Sequence, residues 1–157
     1  MAALAVLFCL LDCRLGRKRW VKRVWAAAWA ATAALILAAT VLFRDPGETR
    51  VILRPFAAFA YVKIQPEIYR EMLMNVLLYF PLGMAAAGAL PERLRPWVRT
   101  GIAVGAGLLL SLLVEGMQYR YGLGLAETDD VLCNTLGVLL GGGCLPLSRW
   151  IQKKARE

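Results

Sequence analysis

Histidine is absent from the 157-residue chain, and cysteine occurs only four times. Without an imidazole there is no Ser-His hydrolase, no HExxH protease and no histidine-dependent phosphatase or acyltransferase. Any catalysis has to run through carboxylates, amides or hydroxyls. Cys9, Cys13, Cys133 and Cys144 show no CxxC spacing and have no histidine to complete a mixed site. Neither a zinc centre nor a disulfide framework is expected, and the four read as small apolar packing residues. No metal and no cofactor is called for. Charge is sparse as well: 19% of residues are charged against 59% hydrophobic, with a mean hydropathy of +0.55. That exceeds what a soluble domain of this length needs, so a bilayer is the expected solvent and membrane lipids the expected partners. The net charge of +8 raises nucleic acid as a partner. The basic residues, however, lie between apolar runs instead of gathering on a soluble face, and no nucleic-acid partner is expected.

What the chain has in quantity is apolar sequence of membrane length. Trp25 to Phe43 carries no charge and is bounded by Lys22-Arg23 and Arg44-Asp45-Pro46-Gly47; at about 20 residues it matches the hydrocarbon thickness of a bilayer. Three more spans are expected at Met72–Leu90, Gly101–Gln118 and Val131–Leu147, closed by residues such as Pro91-Glu92-Arg93 and Tyr121-Gly122. The expected fold class is all-α, a multi-pass transmembrane helical bundle of four spans plus a short N-terminal hydrophobic helix. That helix, Ala2–Leu11, is roughly 15 Å long, half of a hydrocarbon core. Positive charges follow it, which argues against a cleaved leader. One membrane domain, 24–148, is expected between an N-terminal segment, 1–23, and a basic tail, 149–157, with no internal repeat.

Lysine and arginine divide by side. Arg14–Arg23 carries six, Arg93–Arg99 three and Arg149–Arg156 four, together thirteen of nineteen, and the positive-inside rule assigns these segments and the C-terminus to the cytoplasm of a cell membrane. The opposite loop, Arg44–Glu71, contains Pro46, Pro55 and Pro66 around the aromatic run Phe56–Tyr61. It reads either as a helix or re-entrant piece at the outer interface or as an ordinary loop anchored by aromatics.

The polar residues of the last three spans collect at one end. Ser111, Glu115 and Gln118 follow at i, i+4 and i+7, and Asp130, Asn134, Gly137 and Gly141 at i, i+4, i+7 and i+11, so each helix has one polar or small stripe. Asn75 opens the earlier span, and Glu127 and Asp129 crowd beside Asp130 at a helix start, where the macrodipole offsets part of their repulsion. Asn75, Ser111, Glu115, Gln118, Glu127, Asp129, Asp130 and Asn134 form the candidate ligand-binding cluster. An ionised carboxylate at the bilayer centre costs about 2.5–3.5 kcal/mol on insertion scales, which makes Glu115 the residue that most needs a reason. One reading is a ligand site; another is that the polar groups only cross-link helices, with Glu115 protonated or paired to Arg120. A hard cation is a third, resting on spacing alone, and neutralisation by Arg50, Arg54 or Arg70 is more economical. Gly101-xxx-Gly105 and Gly137-xxx-Gly141 are expected to let the last two spans pack closely. Pro81 is expected to kink its helix and open a cavity at the outer end.

Three elements then resemble the VanZ-like pattern: Asn75-Val-Leu-Leu-Tyr-Phe-Pro81-Leu-Gly83, Ser111-Leu-Leu-Val-Glu115-Gly-Met-Gln118 and Asp129-Asp130-Val-Leu-Cys-Asn134-Thr135-Leu-Gly137. Arg54-Pro55-Phe56 is similar to the family's Pro-Phe element. The resemblance runs from Arg50 to Gly142, with the elements in family order. It implies a helical integral membrane protein from a family whose name-giving member is associated with teicoplanin resistance. It also implies an arginine ahead of the acidic motif, where this chain reads Gly122-Leu123-Gly124-Leu125-Ala126-Glu127. Three functions stay open: binding of a lipid-like or glycopeptide-related envelope molecule near the outer leaflet, a carboxylate-dependent enzyme using Glu115 or Asp130 on a lipid-linked substrate, and a structural membrane partner.

Overall fold

A computed structural model describes residues 19–43, 47, 50–56 and 66–154; Ala2–Leu11 and the aromatic run beyond Phe56 lie outside them. Four of its helices are long and apolar enough to cross a membrane. Helix α1 spans Arg19–Leu37 and continues as a π-helical turn, Ala38–Leu42; α2 spans Pro66–Ala89, α3 Pro96–Tyr121 and α4 Thr128–Lys154. Each expected span falls on one helix, and each helix begins about a turn before its apolar run. Pro66 and Pro96 explain two of these starts, because proline is pre-organised for the first helical turn, where its missing N–H has no partner to lose. Helix α3 ends at Gly122, which adopts φ 65°; a residue without Cβ takes this left-handed turn at no steric cost, and the Leu123 N–H returns to the Gln118 carbonyl at 2.9 Å. Helix α2 runs through Pro81 without interruption.

Glycine sets the packing, but not between the helices the sequence points to. A Cβ on Gly137 would collide with the Val76 carbonyl oxygen, one on Gly141 with that of Phe80, and one on Gly83 with that of Val138. The Gly137-Gly141 face is therefore pressed on α2, not α3, and α2 and α4 run parallel with their backbones almost in contact. Among the described residues, Gly101 and Gly105 have nothing within 4 Å of where a Cβ would stand, which corrects the expectation that they close the α3–α4 interface. Spacing predicts a flat face; it does not say which neighbour uses it. Around this pair, Tyr79, Leu82, Ala87, Val114, Val138 and Leu145 form the core. Helix α3 packs antiparallel to α4, with Gly107 against Val138 and the Thr100 hydroxyl donating to the Gly142 carbonyl at 2.9 Å. Helix α1 leans on α2 through Trp25, which covers Gly88.

The basic end is closed by cations. The guanidinium of Arg99, 2% exposed, donates to the carbonyls of Ala87 at 2.9 and 2.5 Å and Gly88 at 3.3 Å, and the Lys22 ammonium donates to Gly88 at 2.9 Å. These are the carbonyls a helix C-terminus leaves without intrahelical donors, at the negative pole of its dipole. Glu92, in the connection between α2 and α3, joins Lys22 at 3.9 Å and Arg149 at 3.4 Å.

At the opposite end two short strands pair in parallel, β1 (Arg50–Ile52) and β2 (Leu125–Glu127), with Val51 opposite Ala126. No strand is expected here from the sequence, because three residues of ordinary loop composition have no period to detect. The pair ties the loop after α1 to the turn before α4, reinforced by Gly47 N–H to the Gly122 carbonyl at 2.8 Å and by the Thr128 hydroxyl to the Ile52 carbonyl at 3.2 Å.

Candidate functional site

All eight residues of the predicted cluster lie at the end that carries the strand pair, and the structure sorts them into short-range partnerships. Asn75 on α2 donates its amide to Asp130 at the start of α4, at 2.7 Å. Asn134, one turn further in, donates to Ser111 on α3 at 3.0 Å, and both are buried. Glu115 accepts the backbone N–H of Glu127 at 3.1 Å; this, with Arg120 standing over the Tyr121 ring at 6.0 Å, is the geometry found where an Arg120 pair was one expectation. Gln118 donates to the Thr40 carbonyl at 3.1 Å. Thr40 lies in the π-helical turn that ends α1, so Gln118 supplies a donor to one of the carbonyls such a terminus leaves over.

Asp129 has a different task. Its carboxylate, 3% exposed, accepts the N–H of Phe56 at 2.5 Å, and Phe56 holds φ 63°. A bulky residue in the left-handed region is strained by about 1–3 kcal/mol, and such strain persists only where surrounding contacts hold it. Asp129 is that contact, reaching from α4 to the Pro-Phe element 73 residues earlier. Replacing Asp129 by alanine should therefore release the segment 50–56: a charge-assisted hydrogen bond of about 1.5–3 kcal/mol corresponds to a loss of amide-exchange protection at Phe56 of about ten- to a hundred-fold. Hydrogen exchange read by mass spectrometry on this peptide checks it; unchanged protection refutes the tether.

Several polar atoms at this end are enclosed without a partner among the described residues. Gln118 Oε1, Asn134 Oδ1 and Thr135 Oγ1 are in this state. Tyr79, 1% exposed, sits beside Ser111 and within electrostatic reach of Glu115 and Asp130. Tyr79 is not among the eight predicted residues, yet it is four residues from Asn75 and shares its helix face, which is the signal that places it here. Each enclosed polar atom left unpaired costs about 1–3 kcal/mol.

Two recesses open from the cluster on different sides. One, of about 400 Å³, is polar and is bordered by Glu67, Arg70, Glu71, Met74, Asn75 and Asp130. The other, of about 320 Å³, is walled by apolar residues including Val51, Leu53, Leu112 and Val131, with Glu115 and Glu127 in its lining. Neither is bordered by Ser111, Gln118, Asp129 or Asn134. Among the described residues, no three or more acidic or cysteine side chains are grouped so as to hold a metal ion.

The elements joined here, the Pro-Phe strap, Asn75 on α2, Glu115 on α3 and the acidic start of α4, all fall within residues 29–149, and that stretch matches the VanZ/LLP1 family. The chain belongs to the VanZ/LLP1 family. No curated protein and no solved structure matches it. As a member of the VanZ/LLP1 family it is a membrane protein, and its family-like motifs are the residues that hold this end together: Asp129 on Phe56, Asn75 on Asp130, Ser111 on Asn134.

Proposed function

We propose that the protein binds an amphiphilic envelope molecule, lipid-like or glycopeptide-related, at the acidic end of the bundle, and that this lowers the sensitivity of the envelope to teicoplanin-type antibiotics. The observation that carries the reading is the 320 Å³ recess, whose apolar walls meet the carboxylate of Glu115, 8% exposed. Binding sites for small molecules are mainly apolar with a few placed polar groups, and an amphiphile presents both chemistries together. The polar recess at Asn75 and Asp130 offers a second, hydrophilic surface beside the same helix ends. The distribution of lysine and arginine supports an orientation with the basic end in the cytoplasm and this end at the outer leaflet. Teicoplanin-type tolerance enters through the family resemblance.

Expression of the wild type in a susceptible host is expected to raise the teicoplanin concentration that inhibits growth, and Glu115→Gln, which keeps shape and removes charge, is expected to return it to the level of the empty host. Equal susceptibility with and without the wild-type protein, at matched membrane abundance, contradicts the resistance role.

A further inference from the structure

A third recess lies at the other end of the molecule, away from every residue discussed as a site. It is a groove of about 270 Å³ between α1, α2 and α3, lined by Ala26 and Trp29, by Ala86, Ala89 and Pro91, and by Ile102 and Ala106 among others, all of them apolar. From Pro96 at the start of α3 to Ala106 the helix rises roughly 15 Å, the depth of one bilayer leaflet. The groove therefore runs from the basic connection towards mid-membrane. Alanines line all three of its helices, which makes a slot instead of a broad face. A narrow slot between alanine faces suits a single extended hydrocarbon chain.

The lining carries no charge, but arginines lie close to it along the chain at its basic end. Arg19 and Arg23 precede Ala26 on α1 by seven and three residues and so share its face, and both are exposed. Arg95, the residue that caps α3, precedes Ile102 by seven, and Arg93 lies in the connection beside Pro91; these two are exposed as well. The acidic residue of that connection, Glu92, is already engaged by Lys22 and Arg149. Among the described residues, Arg23 and Arg95 have no carboxylate at ion-pair distance. Arginine is the side chain suited to phosphate, because its planar fork matches two oxygens at once, and basic segments at a membrane surface favour anionic lipid.

We propose that this groove holds an acyl chain of an anionic phospholipid whose phosphate is met by Arg23 and Arg95. The occupant is a lipid and not a free phosphate, since the apolar slot below the arginines contributes only to a molecule that carries a chain. The site is separate from the acidic end, so it stands whether or not that end binds an amphiphile.

Trp29, 36% exposed in the groove wall, supplies the probe. The full chain is reconstituted in phosphatidylcholine vesicles doped with phospholipid carrying brominated acyl chains, and the Trp29 signal is the difference between wild type and Trp29→Phe. Brominated phosphatidylglycerol is expected to quench this signal more strongly than brominated phosphatidylcholine at equal mole fraction. The preference should fall about five-fold for each of Arg23→Gln and Arg95→Gln, and Ala26→Phe should reduce quenching by both lipids by filling the slot. Should the arginine variants fail to fold, about 1 M salt on the wild type performs the same test by screening, and the preference should disappear. Equal quenching by the two lipids, or a preference that survives both substitutions and salt, overturns the proposal. So does wild-type quenching that becomes strong only when residues 2–11 are removed, which assigns the groove to the chain's own N-terminal run.

Discussion

Gly141→Val is expected to prevent the bundle from assembling, while Gly105→Val on the neighbouring helix leaves it folded. A Cβ at Gly141 meets the carbonyl oxygen of Phe80 and comes within 2.9 Å of its carbon, and backbone cannot step aside as a flexible side chain does. Overpacking a core costs about 1–3 kcal/mol when side chains can yield; here α2 has to move away from α4 along its length, losing the contacts of Gly83 and Gly137 with it. Against a total stability of about 5–15 kcal/mol, that is enough to lose the fold. Among the described residues, Gly105 has no atom within 4 Å of its Cβ position, so valine there only adds surface towards lipid. Yield of monodisperse protein in detergent and the midpoint of thermal unfolding, compared for the two variants, check the prediction. Equal behaviour refutes the claim that the α2–α4 contact organises the fold.

Arg99→Met is the second change with a large expected effect. Arg99 looks like one more cytoplasmic cation in the sequence, three residues after a proline that opens an apolar span. Its guanidinium instead turns inward and satisfies the terminal carbonyls of Ala87 and Gly88. Methionine fills a similar volume without a donor. It leaves the Ala87 carbonyl unpaired and Gly88 with Lys22 alone, at about 1–3 kcal/mol for each buried group that loses its partner. A destabilisation of about 1–3 kcal/mol follows, measurable as a lowered unfolding midpoint, with Arg99→Lys intermediate because an ammonium keeps the charge and gives up the fork geometry. A neutral Arg99→Met locates the closure of the basic end elsewhere, at Glu92.

These two residues also mark what was readable beforehand. Helix number, order and approximate extent follow from apolar length, a one-dimensional property that a bilayer imposes on the sequence. The end at which Glu115, Asp129 and Asp130 gather follows from alternating helix direction. Partner choice does not. Gly101-xxx-Gly105 and Gly137-xxx-Gly141 have the same spacing, and only the rotation of each helix decides that one faces α2 and the other open surface. The strand pair β1–β2 and the strained Phe56 were equally hidden, because they depend on a contact across 73 residues in which Asp129 spends its carboxylate on a backbone N–H. The eight predicted site residues share one end but divide between two recesses and a buried core, a distinction that needs χ angles and not periodicity.

Direct binding at Glu115 tests the functional account most closely. Purified protein in phosphatidylcholine nanodiscs is titrated with teicoplanin, for the wild type, for Glu115→Gln and for Gly105→Val as a control that folds. The account predicts saturable binding by the wild type and the control, weakened about ten- to a hundred-fold by Glu115→Gln, the range that one charge-assisted hydrogen bond supplies. Binding that is absent in the wild type, or unchanged when the carboxylate is removed, contradicts it.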